Sequence, residues 1–193
     1  MDVYIADLTK IINNEPLINS YIDRLTEKDA DRFNRMTHED RKLQFLVARM
    51  TIYEHLGHDL IVSDSGKLLY DGAFLSVSHS ENMVVVAISS EGVGVDVEDT
   101  QKKRDFKGLA QMCHLGDVSD HIEFYKKYTK YEAEFKLGMS NAHCEFYCWG
   151  HFLMCLAMAQ KTNAVSFWET IPFVEQKTSM GIQSFDKTNK DTI

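Results

Sequence analysis

Asp96 and Glu98 stand two residues apart in GVGVDVED, residues 92–99. With the period of a strand, Val93, Val95 and Val97 point one way, and Gly92, Gly94, Asp96 and Glu98 point the other. Carboxylates two apart on a strand emerge about 7 Å apart at the backbone and can converge on one hard cation. Mg2+ suits such a pair, because it takes oxygen ligands, keeps waters and completes its shell with substrate phosphates. Gly92 and Gly94 leave room for another backbone or a ligand to approach closely. Asp99 points to the opposite face. Taken alone, the same alternation equally describes a strand whose end meets water.

Two distant stretches carry matching chemistry. In YTKYEAEFK, residues 128–136, Glu132 and Lys136 are i and i+4 on a helix. That spacing suits a solvent-facing ion pair worth about 0.3–0.5 kcal/mol. It suits equally an acid that joins a metal or acts as base, one turn from a lysine that holds a phosphate, and spacing does not separate the two. SVSHS, residues 76–80, closes an apolar strand, and Ser78 and His79 there either face water or donate hydrogen bonds to a phosphate. No G-x-S-x-G elbow surrounds them, which weighs against a serine nucleophile. HCEFYCWGH offers His143, Cys144, Cys148 and His151 as zinc ligands on paper. Strand periodicity puts the two cysteines on one face and the two histidines on the other, so the four cannot close a tetrahedron, and buried strand cysteines are the better account.

These side chains need elements to hold them. Residues 15–57 read as helical, with Leu43, Leu46, Val47, Met50 and Tyr53 on one face and Gly57 as a stop. Turn signals follow at Asp64–Gly66 and Asp71-Gly72. Three strand-like runs come next, AFLSVSHS, MVVVAISS and GVGVDVE, the first two joined by a turn at Ser80–Asn82. The polar DTQKKRDFKGLAQ links to a long helix over 117–139, and CEFYCWGHFLMCLAMA returns to strand. The predicted fold class is therefore α+β, with an N-terminal half over 1–99 and a C-terminal half over 100–193. Two such units packed together place a cleft between them. The polar tail QSFDKTNKDTI is expected to fray.

Composition sets the outer limits. The chain has 193 residues, 44% of them hydrophobic, enough to bury a core. No apolar run approaches the length of a membrane span, and the start lacks the pattern of a secretory signal. Four cysteines without regular spacing read as reduced thiols, and the expected location is the cytoplasm. A net charge of −8 argues against general nucleic-acid binding, and means that docking an acidic protein partner requires a local basic or apolar patch.

Taken in order, SVSHS, GVGVDVE and YTKYEAEFK resemble the motifs of the 4′-phosphopantetheinyl transferases, of the larger pseudo-dimeric type that activates carrier domains. GVGVDVE is similar to that family's [IV]-G-[IV]-D-x-E metal motif, and YTKYEAEFK to its [FW]-[ST]-x-K-E-[AS]-x-x-K helix. Gly66-Lys67 resembles the start of its Gly-Lys-Pro element. The resemblance spans residues 28 to 160 or so. It implies two similar halves related by a pseudo-two-fold, a monomer, and transfer of phosphopantetheine from coenzyme A to a carrier-protein serine. By this resemblance Asp96, Glu98 and Glu132 hold Mg2+ against the pyrophosphate of coenzyme A. Ser78, His79 and Lys136 contact its phosphates, Lys67 lies by the adenine nucleotide, and Arg41 or a neighbouring basic residue lies by the 3′-phosphate. Glu132 is base, ligand or both. The chain departs from the pattern at Tyr131, where the family has Lys, at Tyr128, at Gln44, where many members have Arg, and at Leu68. The alternative function is a homologue that binds coenzyme A or a carrier protein without turnover.

Overall fold

The computed structural model describes residues 1–62, 68–162, 164–174, 178–179 and 183–184. The chain opens on β1 (Asp2–Asp7), passes a 3-10 turn at Leu8–Lys10, and enters three helices, α1 (Glu15–Ile22), α2 (Glu27–Arg35) and α3 (Glu39–Leu56). Strands β2 (Ile61–Val62), β3 (Leu68–Tyr70), β4 (Ala73–Ser80), β5 (Met83–Ser89) and β6 (Val93–Asp99) follow. Then come α4 (Phe106–Met112), α5 (His121–Leu137), β7 (His143–Trp149), β8 (Phe152–Met158), β9 (Ser166–Glu169), β10 (Thr178–Ser179) and β11 (Gln183–Ser184).

Local chemistry explains most boundaries. Thr26 and Asp120 cap α2 and α5 by accepting from Asp29 N (3.3 Å) and Glu123 N (2.8 Å). Asp120 thereby starts α5 at His121, later than the periodicity placed it. Gly57 and Gly138 close α3 and α5 with positive φ of 81° and 79°. The apolar face of α3 is the expected one: Leu43, Leu46, Val47, Met50 and Tyr53 are all buried. The polar link contains a helix of its own, α4, capped by Asp105. The 64–66 turn lies outside the described residues, as does the tail apart from Gln183 and Ser184.

Among the described residues there are two sheets. One runs in the order β10-β9-β1-β5-β4-β3-β2, and the other β11-β7-β8-β6. The first is antiparallel except where β9 lies parallel to β1. Strand β6 ends at residue 99 but pairs with β8, Asp96 opposite Cys155. Strand β9 follows that residue and pairs with β1. The chain is a mixed α+β protein in four layers. Helices α1–α3 cover one face of the first sheet through Leu46, Met50, Leu75, Val84 and Val86. The other face meets the second sheet through Val3, Ile5, Val85, Val95, Val97 and Leu156. Helices α4 and α5 cover the far side through Phe124, Ala133, Leu153 and Cys155. No helix among the described residues is long and apolar enough to cross a membrane.

Candidate active site

The seam between β4 and β6 builds the site. Strand β6 is the edge of its sheet, so every second N–H along it lacks a strand partner. Ser76, Ser78 and Ser80 on β4 supply those partners, accepting from Val95 N (2.9 Å), Val97 N (3.2 Å) and Asp99 N (3.1 Å). The alternation in SVSHS therefore turns three serines toward β6 and Val77 and His79 toward the helical side. Each hydroxyl still has a proton to give. Ser78 donates to Asp96 Oδ1 (2.9 Å) and Ser80 to Glu98 Oε2 (3.0 Å).

On its other side β6 meets α5. A Cβ at Gly94 would stand 1.9 Å from the Ala133 carbonyl oxygen and 2.8 Å from Leu137 N, so only glycine admits the helix at this distance. That close approach brings Lys136 onto β6, where Nζ donates to Asp96 Oδ1 (2.7 Å) and to the Val95 carbonyl (3.0 Å). Glu132, one turn earlier and half-buried, makes no ion pair with Lys136 among the described residues; the lysine reaches Asp96 instead.

The carboxylates feel one another and their burial. Asp96 is 6% exposed, and loss of water pushes its carboxyl above the usual range; Lys136 and Ser78 pull it back, while the charge of Glu132 raises it further. Burial likewise raises Glu98, against Arg104 and with Asp96 adding to the rise. The Tyr128 phenol is pushed up to about 12, by burial first and by Glu132 next. Asp96, Glu98 and Glu132 thus form one electrostatic cluster.

In front of the cluster lies a cleft of about 870 Å3, whose walls include Arg41, Gln44, His79, Glu98, Lys102 and Arg104. Asp96, Glu132 and Lys136 do not line the cleft; Asp96 and Lys136 are tied to it through Glu98 and His79, whose protonation their charges shift, and Glu132 through Asp96. His79 is held below its ordinary value of 6.5 by burial, then by the charges of Arg41 and Lys136. Its ring is therefore neutral at neutral pH. The sequence-derived residues Arg41, His79, Asp96, Glu98, Glu132 and Lys136 come together here. Ser78 is buried against Asp96 and Val97, with its hydrogen bonds spent inside the protein. Lys67 lies outside the described residues.

Arg104 was not singled out by the sequence. It grips Glu98 with both nitrogens, Nη1 to Oε1 (3.1 Å) and Nη2 to Oε2 (2.9 Å), and lies over the Tyr125 ring. Tyr125 in turn donates to the Lys102 carbonyl (2.9 Å), tying down the loop that carries both basic residues. Lys102 pairs with Glu81. Within the run QKKRD nothing marks Arg104 out from its neighbours.

For a hard cation the residues fit in part. Asp96 Oδ2 is buried without a hydrogen-bond partner, and an oxygen of that kind beside a second acid suits Mg2+. Glu98, with both oxygens on Arg104, is not free to ligate as placed. Among the described residues no group of three His, Cys, Asp or Glu side chains is arranged to hold a metal ion.

Fold and site together define an α+β protein with a buried acid cluster beside a cleft walled by three basic and three acidic side chains, Arg41, Lys102 and Arg104 with Asp40, Glu81 and Glu98. No family model and no curated protein matches the chain.

Proposed function

We propose that this chain is a 4′-phosphopantetheinyl transferase, moving phosphopantetheine from coenzyme A to a serine of an acyl or peptidyl carrier protein. One observation carries the reading. Lys136 and Glu132 on α5, Asp96 and Glu98 on β6, and His79 on β4 come from three separated motifs and meet beside one cleft. The two αβ layer pairs, packed sheet to sheet, would be the pseudo-two-fold halves of that fold.

The cleft walls suit an anionic nucleotide. Arg41 offers positive charge, Lys102 and Arg104 would add theirs on leaving Glu81 and Glu98, and neutral His79 offers a hydrogen bond without competing for a proton. Asp96 through Oδ2 and Glu132 would hold Mg2+, and Glu98 would join them only by releasing Arg104. Bound there, Mg2+ would neutralise the pyrophosphate and stabilise charge on its oxygens. Lys136, held over Asp96, sits where it can share that work. Glu132, directly or through water, takes the proton of the carrier serine. The serine oxygen bonds to the β-phosphorus, the bond from that phosphorus to the bridging oxygen breaks, and 3′,5′-ADP departs.

A second reading, binding of coenzyme A or a carrier without turnover, draws on the internal pairing of Glu98 with Arg104 and of Asp96 with Lys136. One experiment separates the two. The protein is incubated with apo carrier proteins, coenzyme A and Mg2+, and each carrier is weighed by mass spectrometry. A gain of one phosphopantetheine group is expected, lost in Asp96→Asn while the circular dichroism spectrum is retained. No gain on any of several carriers would exclude the transferase.

A further inference from the structure

On the side of the second sheet that α5 covers, two thiols stand together. Cys144 on β7 and Cys155 on β8 point to the same face. In the register of the two strands Cys144 is opposite Ala157 and Phe146 opposite Cys155, which makes the cysteines diagonal neighbours. Both pack beneath α5 in one small cluster with Ala133 and Ala157. Cys155 is fully buried, Cys144 is half-buried, and both thiols are free. The Cys155 thiol donates a hydrogen bond to Cys144 Sγ. Cys144 Sγ donates in turn to Glu134 Oε1 (4.0 Å) on α5, a carboxylate fixed by the Ala142 amide (3.0 Å) and by Lys130 (3.8 Å). Packing accounts for Cys155 as a small apolar side chain; it does not ask for a second thiol, reachable from solvent, set against the first.

The two sulfurs differ as an attacking and a resolving thiol must. The hydrogen bond from Cys155 holds the Cys144 thiol below its ordinary value, and Lys130 offsets the charge of Glu134 beside it. The same bond, and then burial, push Cys155 well up. Cys148, on the same face of β7, stands opposite Leu153 in the ladder, and burial raises it to about 11. Diagonal partners begin about 7–8 Å apart at the backbone, beyond the roughly 4.4–6.8 Å that a relaxed disulfide spans. Closing a bond between them draws the strands together by about 1 Å. At Cys144 strand β7 has room to give, because among the described residues β11 pairs only with Tyr147 and Cys148. A bond closed under that load is easily reduced, and so reversible. Cys155 also stands opposite Asp96 in the β6–β8 ladder, which sets the pair one strand from the acid cluster.

We propose that Cys144 and Cys155 form a redox modification site, which a hydroperoxide oxidises to a reversible intramolecular disulfide. Ionised Cys144 attacks a peroxide oxygen and the O–O bond breaks. Cys144 becomes a sulfenic acid, and the departing oxygen leaves as an alcohol, or as water from hydrogen peroxide, with the proton that the thiol gave up. The Cys155 sulfur then attacks Cys144 Sγ. The S–S bond forms, the S–O bond breaks, and hydroxide leaves as water with the Cys155 proton. Two thiols together lose two electrons, and one peroxide gains them. The site stands independently of the transferase reading.

The full-length protein is reduced, freed of reductant and treated with hydrogen peroxide near neutral pH. The expected product is lighter by two hydrogens, shows a Cys144–Cys155 bond in its chymotryptic peptides, and returns to the starting mass with dithiothreitol. In competitive alkylation Cys144 should react at least about tenfold faster than Cys148. Cys155→Ala should stop at a sulfenic acid on Cys144, trapped by dimedone, and Cys144→Ser should leave Cys155 unoxidised. No change in mass, or a disulfide joining any other pair or two molecules, would overturn the proposal. So would Cys144 reacting no faster than Cys148, or passing to sulfinic acid in the wild type with no bond to Cys155. The wild type alone decides these outcomes, whether or not the variants fold.

Discussion

Ser78 sits between a backbone amide and a carboxylate: its Oγ accepts from Val97 N (3.2 Å) and donates to Asp96 Oδ1 (2.9 Å). A single hydroxyl thus joins β4 to the edge of the second sheet and orients the most buried acid of the cluster. Ser78→Ala would leave a buried N–H without a partner and take one donor from Asp96. The expected cost is about 1–3 kcal/mol of folding stability, read as a lower urea midpoint. If Ser78 instead served only a bound phosphate, the midpoint would not move.

Gly94 is where α5 touches β6. Gly94→Ala places a methyl group against the backbone of Ala133 and Leu137, neither of which can step aside as a flexible side chain could. Helix and strand must separate, at a cost of about 1–3 kcal/mol or more. The distance from Lys136 to Asp96 must then grow as well. Thermal unfolding checks the first effect. The second is checked by coenzyme A affinity, expected to fall in Gly94→Ala; an unaltered melting temperature would show that the contact is looser than described.

Arg104 holds both oxygens of Glu98, and the two outcomes of removing it point in opposite directions. Arg104→Ala is expected to lower stability by about 1–3 kcal/mol, because a mostly buried carboxylate loses its charged partner. It is also expected to bind Mn2+ more tightly than the wild type in calorimetry, since Glu98 is then free to ligate. Equal or weaker Mn2+ binding would show that Glu98 takes no part in holding a cation.

His79 supplies a pH dependence of known sign. Its folded value lies below the ordinary 6.5, through burial and the charges of Arg41 and Lys136. The unfolded chain therefore takes up the proton first, and stability is lost as pH falls from about 6.5 through the folded value. Melting temperatures between about pH 7 and pH 5 should fall less steeply in His79→Gln than in the wild type. A histidine NMR titration should find this ring with its midpoint below 6.5, moving upward when inorganic pyrophosphate is added.

Much of the positioning framework was legible in the sequence because it is set by neighbours in the chain. A period of two along residues 92–98 sorted Val93, Val95 and Val97 into the core between the sheets and left Asp96 and Glu98 on the other face. A period of 3.6 gave the buried face of α3, and Gly94 announced a close approach. Strands β1 and β9 escaped the reading. Each is short, and a strand of six or four residues carries little periodicity to set it apart from a loop.

What the residues of the site do to one another was not legible. The i,i+4 spacing of Glu132 and Lys136 fits an exposed ion pair, yet Lys136 bonds Asp96, forty positions away in the chain. The serines of SVSHS could have faced a ligand; they face β6 because sheet order makes β6 an edge whose amides need partners. Arg104 reaches Glu98 from a loop that Tyr125, distant in sequence, ties down through the Lys102 carbonyl. Periodicity along one element determined which side chains share a face. Which faces then meet, and so which acid is paired, buried or left with a free oxygen, was decided by the stacking of elements distant in sequence.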